Sequence, residues 1–508
     1  MQSKKKKGGH TKSRAGCRTC RIRRVKCDET KPDCRKCSST GRACEWFTNN
    51  PSRPPIELAR RSSFKPGFPD SSLTQMPDLK ALELRGFEFF CTRTAPEMSY
   101  FDFDFWPNLV LQLSRSEPIV LHAAIALGSL HEHEESIGMP ISKHRTSDLR
   151  HRFAVTQYNT AIRYLRERDA NGNDPKARVL ILTTCLIFVH LELLRGGYDM
   201  AIEHVRSGLK ILQGRCSGYQ QSPADSMLST AFRRLDLQCA HFDKDGPMLQ
   251  YQSRDVAENH CVFSQSGVSR LEDINKRWDT LLGASLKFLQ SARTLRKEKA
   301  NLNDAELIRT QGKLISFHRA YIEELESLVS QPDVLPSKKH WQSCLLVKMH
   351  VIGIRLQLSV CLAQDEELSY DTYHSDFSEM LSLAERFMFN SDGGSQHHDG
   401  LKRPSLTTHW GVIPPLFLVA SKCRDPQTRR RGIALLESWP HREGFWDAGL
   451  AVAFARTVME IEEQDPFTVG RIANAFGIVA EDQSHTTITY SRVQNAVNGP
   501  EEAVSMPI

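Results

Sequence analysis

From about residue 80 onward, apolar residues recur at intervals of three and four, the spacing that places them on one face of an α-helix. Ser116-Glu117-Pro118 is a helix start, with proline at the first helical position, and Ile119 to Leu130 follows as an apolar helix. Tyr158, Ala161, Ile162 and Leu165 mark one helical face. Ala201, Ile202, Val205, Leu209 and Leu212 mark another, entered from Gly196-Gly197. The motif Tyr-x-x-Ala-Ile occurs at 158–162 and again at 198–202, which points to paired helices of tetratricopeptide-like geometry. Further faces are Phe232–Leu235–Cys239–Phe242, Leu271–Ile274–Trp278–Leu281, Leu314 to Leu328, Cys344 to Leu362, Gly432–Leu436 and Trp446–Ile461. Alternating strand patterns are nearly absent, so residues 81–465 are predicted to form a large all-α domain.

The flanks of this body read differently. Residues 48–80 are rich in Pro, Ser and Arg (Pro51, Pro54, Pro55, Pro66 and Pro69) and are predicted to be an extended, flexible linker. Leu79, Leu82 and Leu84 are too few for a coiled-coil heptad, and Pro77 sits just upstream, so homodimerisation is left open. Residues 466–508 lack periodicity and are predicted as a mostly disordered tail. The longest apolar stretch, Val179 to Leu194, contains His190 and Glu192; it is too short to span a bilayer and reads as a buried helix, so no membrane partner is expected.

Charge changes the picture at the other end. The chain of 508 residues carries a net +7, but residues 1–50 hold 15 Lys/Arg against 4 Asp/Glu, leaving 52 against 56 in the rest. A basic head on a slightly acidic body implies that the head meets a polyanion. Lys4, Lys5, Lys6 and Lys7 lead into Gly and His, not into an apolar segment, so no signal peptide is expected. With Lys12 and Arg14 they form a basic, disordered arm over 1–16 that fits nuclear import and loose phosphate contact.

Without secretion the thiols stay reduced, and clustered cysteines point to metal. Six of the 14 cysteines are Cys17, Cys20, Cys27, Cys34, Cys37 and Cys44, spaced C-x2-C-x6-C-x6-C-x2-C-x6-C, with the second triplet repeating the first at an offset of 17. Structural zinc takes four ligands in a tetrahedron. One zinc would strand two thiolates; two zincs are served by six sulfurs if two of them bridge. A segment this short buries too little apolar surface to fold unaided, whereas a structural zinc site is worth about 10–16 kcal/mol. The other eight cysteines are scattered among apolar neighbours and read as small core residues. Between Cys17 and Cys27 lie Arg18, Arg21, Arg23, Arg24 and Lys26 with no acid, against only Arg35, Lys36 and Arg42 in the second half, so charge makes the first half the DNA face.

These six cysteines, at these spacings, resemble the fungal zinc binuclear-cluster DNA-binding domain, here spanning 17–47. The resemblance implies two Zn2+ per chain, with Cys17 and Cys34 bridging, Cys20 and Cys27 completing one site, and Cys37 and Cys44 the other. Pro32 falls where the family places a proline between the halves. The family docks a short helix end in the major groove over a CGG-like triplet, and Arg23 and Arg24 fall at its base-contacting pair. The family more usually has lysine there, but arginine can fork onto guanine O6 and N7. Arg18, Arg21 and Lys26 fit phosphate contacts. The body is similar to the helical regulatory domain found behind such clusters. The similarity rests on Phe105-Trp106 with Gln112-Leu113-Ser114, Ala126-Leu127-Gly128-Ser129-Leu130-His131, Tyr198 to Leu212, Trp410 to Pro415 and Arg429-Arg430-Arg431. In such proteins that domain regulates activity and sometimes senses a small molecule; no residue here identifies an effector.

The sequence therefore predicts a mainly α, nuclear, sequence-specific regulator of RNA polymerase II genes that binds double-stranded DNA and works with the transcription machinery. A single-stranded nucleic-acid or RNA-binding protein would show stacking aromatics among the cations, and Cys17 to Cys44 contains none. An enzyme is not expected: there is no G-x-S-x-G, Walker A or G-x-G-x-x-G pattern. His131-Glu132-His133 lacks the second histidine spacing of a zincin and reads as polar residues at a helix end. Two readings fit the acidic-aromatic stretch Asp365 to Phe377, an activation segment or a solvated loop.

Overall fold

The computed structural model describes residues 17, 20, 25–31, 34–40, 44, 80–99, 105–141, 148–167, 175–214, 222–242, 246–251, 267–330, 338–389, 403–464, 472–479, 485–492 and 502–507. The chain divides into two compact units, 1–68 and 69–508. In the first, one short helix, α1 (Arg35–Ser38), follows Cys34 in extended conformation. The arm (1–16) and nearly all of the linker (48–80) lie outside the described residues.

Helices of the second unit begin where the sequence supplies something to meet their first N–H groups. α2 (Ala81–Phe89) runs through a π-helical turn (Phe90–Thr94) into α3 (Ala95–Met98), and a second π-helical turn (Phe105–Val110) leads into α4 (Leu111–Ser116). α5 (Pro118–Ser136) starts at the proline expected to open it. α6 (Leu149–Glu167), α7 (Pro175–Arg195) and α8 (Tyr198–Gln213) follow. α9 (Pro223–Cys239) is opened by a capping box between Ser222 and Asp225. After α10 (Gly267–Lys297), α11 (Ala305–Val329) is capped by the Asp304 carboxylate. Then come α12 (Lys338–Val360), α13 (Glu366–Ser369), a 3-10 turn (Tyr370–Tyr373) and α14 (His374–Phe389).

α5 is buried on nearly every side, from Ile119 through Leu130, and it packs against α2, α6 and α7. Its approach to α2 is set by two glycines. A Cβ on Gly128 would meet the Gly86 carbonyl oxygen and the Phe90 backbone, and one on Gly86 would meet Ser129 Oγ. α7 pairs with α8, as α5 does with α6, and Tyr158 Oη lies 3.1 Å from His204 Nε2 where α6 meets α8. Lys176–Arg195 and Lys338–Val360 are each long and apolar enough to cross a membrane, but 89% and 78% of their apolar windows are buried inside the protein, which makes them core helices.

The last part of the body returns to the first. β1 (Leu406–Thr407) is followed by α15 (Ile413–Lys422), α16 (Pro426–Glu437), β2 (Arg442–Glu443), β3 (Trp446–Asp447) and α17 (Ala448–Glu463). β1 pairs parallel with β2, and β2 antiparallel with β3. Two buried charges fix this small sheet. Arg442 reaches Asp447 (3.2 Å), Glu134 (3.3 Å), Pro140 O (2.6 Å) and Leu194 O (3.3 Å). Glu443 accepts N–H groups from Gly411 (2.9 Å), Val412 (2.7 Å) and Ile413 (3.0 Å) at the start of α15. Gly411 has to be glycine, because a Cβ there would strike that carboxylate.

Four expectations change. Residues 466–508 were expected to be a mostly disordered tail and the body free of strands. Instead β4 (Ile472–Val479), β5 (His485–Arg492) and β6 (Glu502–Pro507) form an antiparallel sheet in that order, and Ile472, Ile488 and Tyr490 pack with Val458 and Ile461 of α17. The stretch Asp365 to Phe377 is neither an activation segment nor a solvated loop, since Tyr370 (4% exposed) and Phe377 (1%) are core residues. His131 is an interior group and not a helix-end one: its ring nitrogens lie 3.0 Å from Thr94 Oγ1 and 2.8 Å from Ser405 Oγ. Phe242 leaves its predicted apolar face because α9 ends at Cys239, and its ring is exposed.

Two predictions follow from the packing. Gly128→Ala should lower stability by about 1–3 kcal/mol through overpacking, read as a lower urea midpoint by circular dichroism; an unchanged midpoint would mean that α2 and α5 are free to separate. Burial lowers the imidazoles of His190, His318 and His350 to about 4 and that of His241 to about 3. The unfolded chain takes those protons near the ordinary value of about 6.5. Their contribution is therefore whole above that value and drains as pH falls toward 4. Burial raises Glu97 and Glu366, which opposes the trend, but the four imidazoles outnumber them. The urea midpoint should fall steadily between pH 6.5 and 4.5, and a flat profile would show these rings to be charged in the fold.

Candidate metal centre and nucleic-acid interface

The first unit has almost no apolar core among its described residues. Its buried cluster consists of Cys17, Cys20, Cys27, Cys34 and Cys37, with Cys44 half-buried beside them. The backbone places each sulfur. Cys34 stands at the N-cap of α1 and Cys37 one turn later, so a four-residue helix presents two thiols on one side. N–H groups of Cys20, Glu29 and Cys34 donate to the sulfurs of Cys17 (3.4 Å), Cys27 (3.4 Å) and Cys44 (3.2 Å). Glu29 adopts a positive φ of 61°, turning the chain after Cys27.

Asp28 braces that turn. Its carboxylate accepts from Thr30 Oγ1 (2.5 Å), Arg35 N (3.1 Å) and Lys36 N (3.4 Å), tying the loop to the start of α1. The Thr30 hydroxyl, followed by those backbone donors, holds its pKa down at about 2. Reading the sequence for metal ligands passed over Asp28. The available signal was an acid preceding a helix whose first N–H groups needed an acceptor.

The six sulfurs form two quartets, Cys17–Cys20–Cys27–Cys34 and Cys17–Cys34–Cys37–Cys44, with all ligand atoms of a quartet within 4.8 Å of one another. Cys17 and Cys34 belong to both. Their sulfurs are 3.7 Å apart, with Cys17–Cys37 at 3.8 Å and Cys20–Cys34 at 3.6 Å. A tetrahedral zinc with Zn–S bonds of about 2.3 Å requires S···S edges of about 3.8 Å. A disulfide would require about 2.05 Å, and all six cysteines are free. The donor set is soft, four-fold twice over, and shares one edge. It fits two zinc ions.

Protonation agrees with that geometry. Burial raises the thiols of Cys20, Cys37 and Cys44, the last to about 12. Burial also acts upward on Cys17 and Cys34, but hydrogen bonds outweigh it and hold both below the ordinary value: from the Cys20 N–H to Cys17, and from the Cys37 thiol and N–H to Cys34. The two thiols shared between quartets are the two held toward thiolate.

Of the side chains expected on DNA, Lys26 is exposed, as are Arg35 and Lys36 on α1. Arg18, Arg21, Arg23 and Arg24 lie outside the described residues, as do Lys4, Lys5, Lys6 and Lys7.

Comparison with known proteins covers both units. Residues 15–54 match the fungal Zn(2)-Cys(6) binuclear cluster domain, and residues 86–445 match the fungal specific transcription factor domain. Over 89% of this chain and 88% of the relative, it is 25% identical to the aspercryptin biosynthesis cluster-specific transcription regulator of Emericella nidulans. A transcription regulator of Purpureocillium lilacinum is 32% identical over 38% of this chain and 47% of its own length. The sterol uptake control protein 2 of Saccharomyces cerevisiae is 54% identical over 7% of this chain and 4% of its own length. No solved structure matches. Because one match encloses all six cysteines and the other most of the helical body, the chain belongs to the fungal Zn(2)-Cys(6) transcription factors, a family of DNA-binding regulators whose cluster holds two zinc ions and whose place of work is the nucleus.

Proposed function

We propose that this protein is a sequence-specific regulator of RNA polymerase II genes whose first cysteine half sets arginines into the major groove over a CGG-like triplet. The observation that carries the reading is the pair of thiol quartets sharing Cys17 and Cys34. In this reading Cys20 and Cys27 complete one site, Cys37 and Cys44 the other, and Cys17 and Cys34 bridge. Bound zinc supplies the cross-links that a segment of this size cannot obtain from apolar burial. The chain's own residues do the rest. Asp28 fixes the loop between the halves against α1. Arg23 and Arg24 read base edges, while Arg18, Arg21 and Lys26 hold phosphates and set the register. The Lys4–Lys7 arm serves nuclear import and adds loose phosphate contacts, and the helical body answers to the transcription machinery.

Family members and named relatives are transcription regulators and not enzymes, which fits the lack of a catalytic motif in the sequence.

Sharing implies unequal losses on substitution. Purified Cys34→Ser should retain far less than half of its zinc by elemental analysis, because both sites lose a ligand, whereas Cys44→Ser should keep about one ion. Equal zinc content in the two variants would rule out the bridging assignment. Acid should release the metal, since raised thiols must shed protons to bind it and regain them as pH falls.

The DNA contacts are tested on the zinc-loaded chain. Arg24→Ala should cost about 1–3 kcal/mol at the site selected from random duplexes and relax its sequence preference. Lys26→Ala should weaken selected and random DNA alike and shallow the salt dependence. If Arg24→Ala weakens both DNAs equally, Arg24 contacts the backbone. A single triplet among the selected sites corresponds to a monomer, and paired triplets at fixed spacing to a dimer.

A further inference from the structure

A cleft of about 640 Å3 opens in the helical body where α9, α10, α12 and the loop before α15 meet. That volume lies within the range of small-molecule sites. The greasy walls come from Leu237, Leu282, Leu346 and Val347, and two indoles, Trp278 and Trp410, add flat faces. Trp410 is itself held edge-on by His241 at 4.6 Å and stands 5.2 Å from His350, ring centre to ring centre.

The polar groups define what could enter. Arg234 lies 3.4 Å from Asp279 and 3.4 Å from His409 Nδ1, so the one strong cation on the wall already faces an acid. The wall therefore carries little net charge. His350 is 6% exposed, and its Nε2 lies 2.9 Å from the Gly411 carbonyl. A carbonyl only accepts, so Nε2 carries the proton and Nδ1 of the neutral ring is an acceptor. Burial keeps the ring neutral, with its pKa lowered to about 4. No hydrogen bond satisfies Nδ1 among the described residues, and Ser343 Oγ on the same helix also makes none. An almost buried acceptor without a donor, on the wall of an indole-lined cleft, calls for a donor from outside.

We propose that this cleft is a binding site for a small, neutral, flat molecule that carries an O–H or N–H group, donates that proton to His350 Nδ1 and lies against Trp278 and Trp410. Its place gives binding a consequence. The loop bearing His409 and Trp410 runs directly into Gly411, Val412 and Ile413, whose N–H groups end on Glu443. An occupant would tie α9, α10 and α12 to that loop and stiffen the join between the two parts of the body. The proposal concerns the body alone and does not depend on how the head contacts DNA.

The test uses the full zinc-loaded chain and 2-naphthol, a flat neutral molecule with one O–H donor, in equilibrium dialysis. Two comparators separate the terms: 2-methoxynaphthalene lacks the donor, and 2-naphthoate adds a charge. 2-Naphthol should bind saturably at about one molecule per chain and raise the melting temperature, with both comparators about tenfold weaker or worse. Val347→Phe, which fills the cleft, should weaken 2-naphthol about tenfold while the circular-dichroism melt is unchanged; Ser343→Val, on the cleft rim, serves the same end should V347F not fold. Absence of saturable binding overturns the proposal. So does equal binding of 2-methoxynaphthalene, which marks greasy adsorption, and so does undiminished binding to the folded cleft variant.

Discussion

The Glu443 carboxylate, 1% exposed, sits at the centre of the helical body with three successive backbone N–H groups and the His441 ring around it. Beside it Arg442, 2% exposed, is met by two acids and two carbonyls. A charge taken out of water at such depth costs several kcal/mol unless it is fully met, and losing one partner strands the other. The architecture follows from meeting that demand. The start of α15, the ends of α5 and α7, and the three short strands are each pinned in place by the same two residues. Helix packing supplies the bulk of the burial; this pair sets the register in which residues 403–447 dock on the helices before them.

The head meets the same demand by other means. Six thiols leave water with almost nothing apolar around them, and the described residues offer them backbone N–H groups, one another and an ordering acid, Asp28. Such a cluster is stable as a metal-binding centre. The two overlapping quartets make the two ions interdependent, so the module folds as a whole with its metal and presents its basic residues together. In the body a buried charge is a fixed point; in the head the buried sulfurs are the core.

Much of the body was legible as pattern. The start of α5 at Pro118, the faces Ala201–Val205–Leu209–Leu212 and Phe232–Leu235–Cys239, and the burial of Val179 to Leu194 all follow from local periodicity. What escaped were features with a weak local signal. In β5 the inward residues are Thr486, Ile488 and Tyr490, alternating with Thr487 and Thr489. Threonine is a good strand former, but its hydroxyl hides the alternation from a hydrophobic reading. Tyr370 and Phe377 looked like part of an acidic surface segment because Asp365, Glu366, Glu367, Asp371 and Asp376 surround them in sequence, whereas a helical turn carries the two rings inward.

The chain's spelling by itself determined the metal head and the helical class. A spacing of two and six residues between cysteines acts over a few bonds and needs no distant partner to become a tetrahedral donor set, and amphipathic periodicity acts within single helices. Tertiary structure alone decided the rest. Glu97 meets Ser405 across 308 positions, His131 lies between Thr94 and Ser405, and His350 faces a cleft whose other walls come from α9, α10 and the loop at Trp410. Such groupings depend on which helices pack together, a choice made by burial summed over the whole body, and no window of sequence records it.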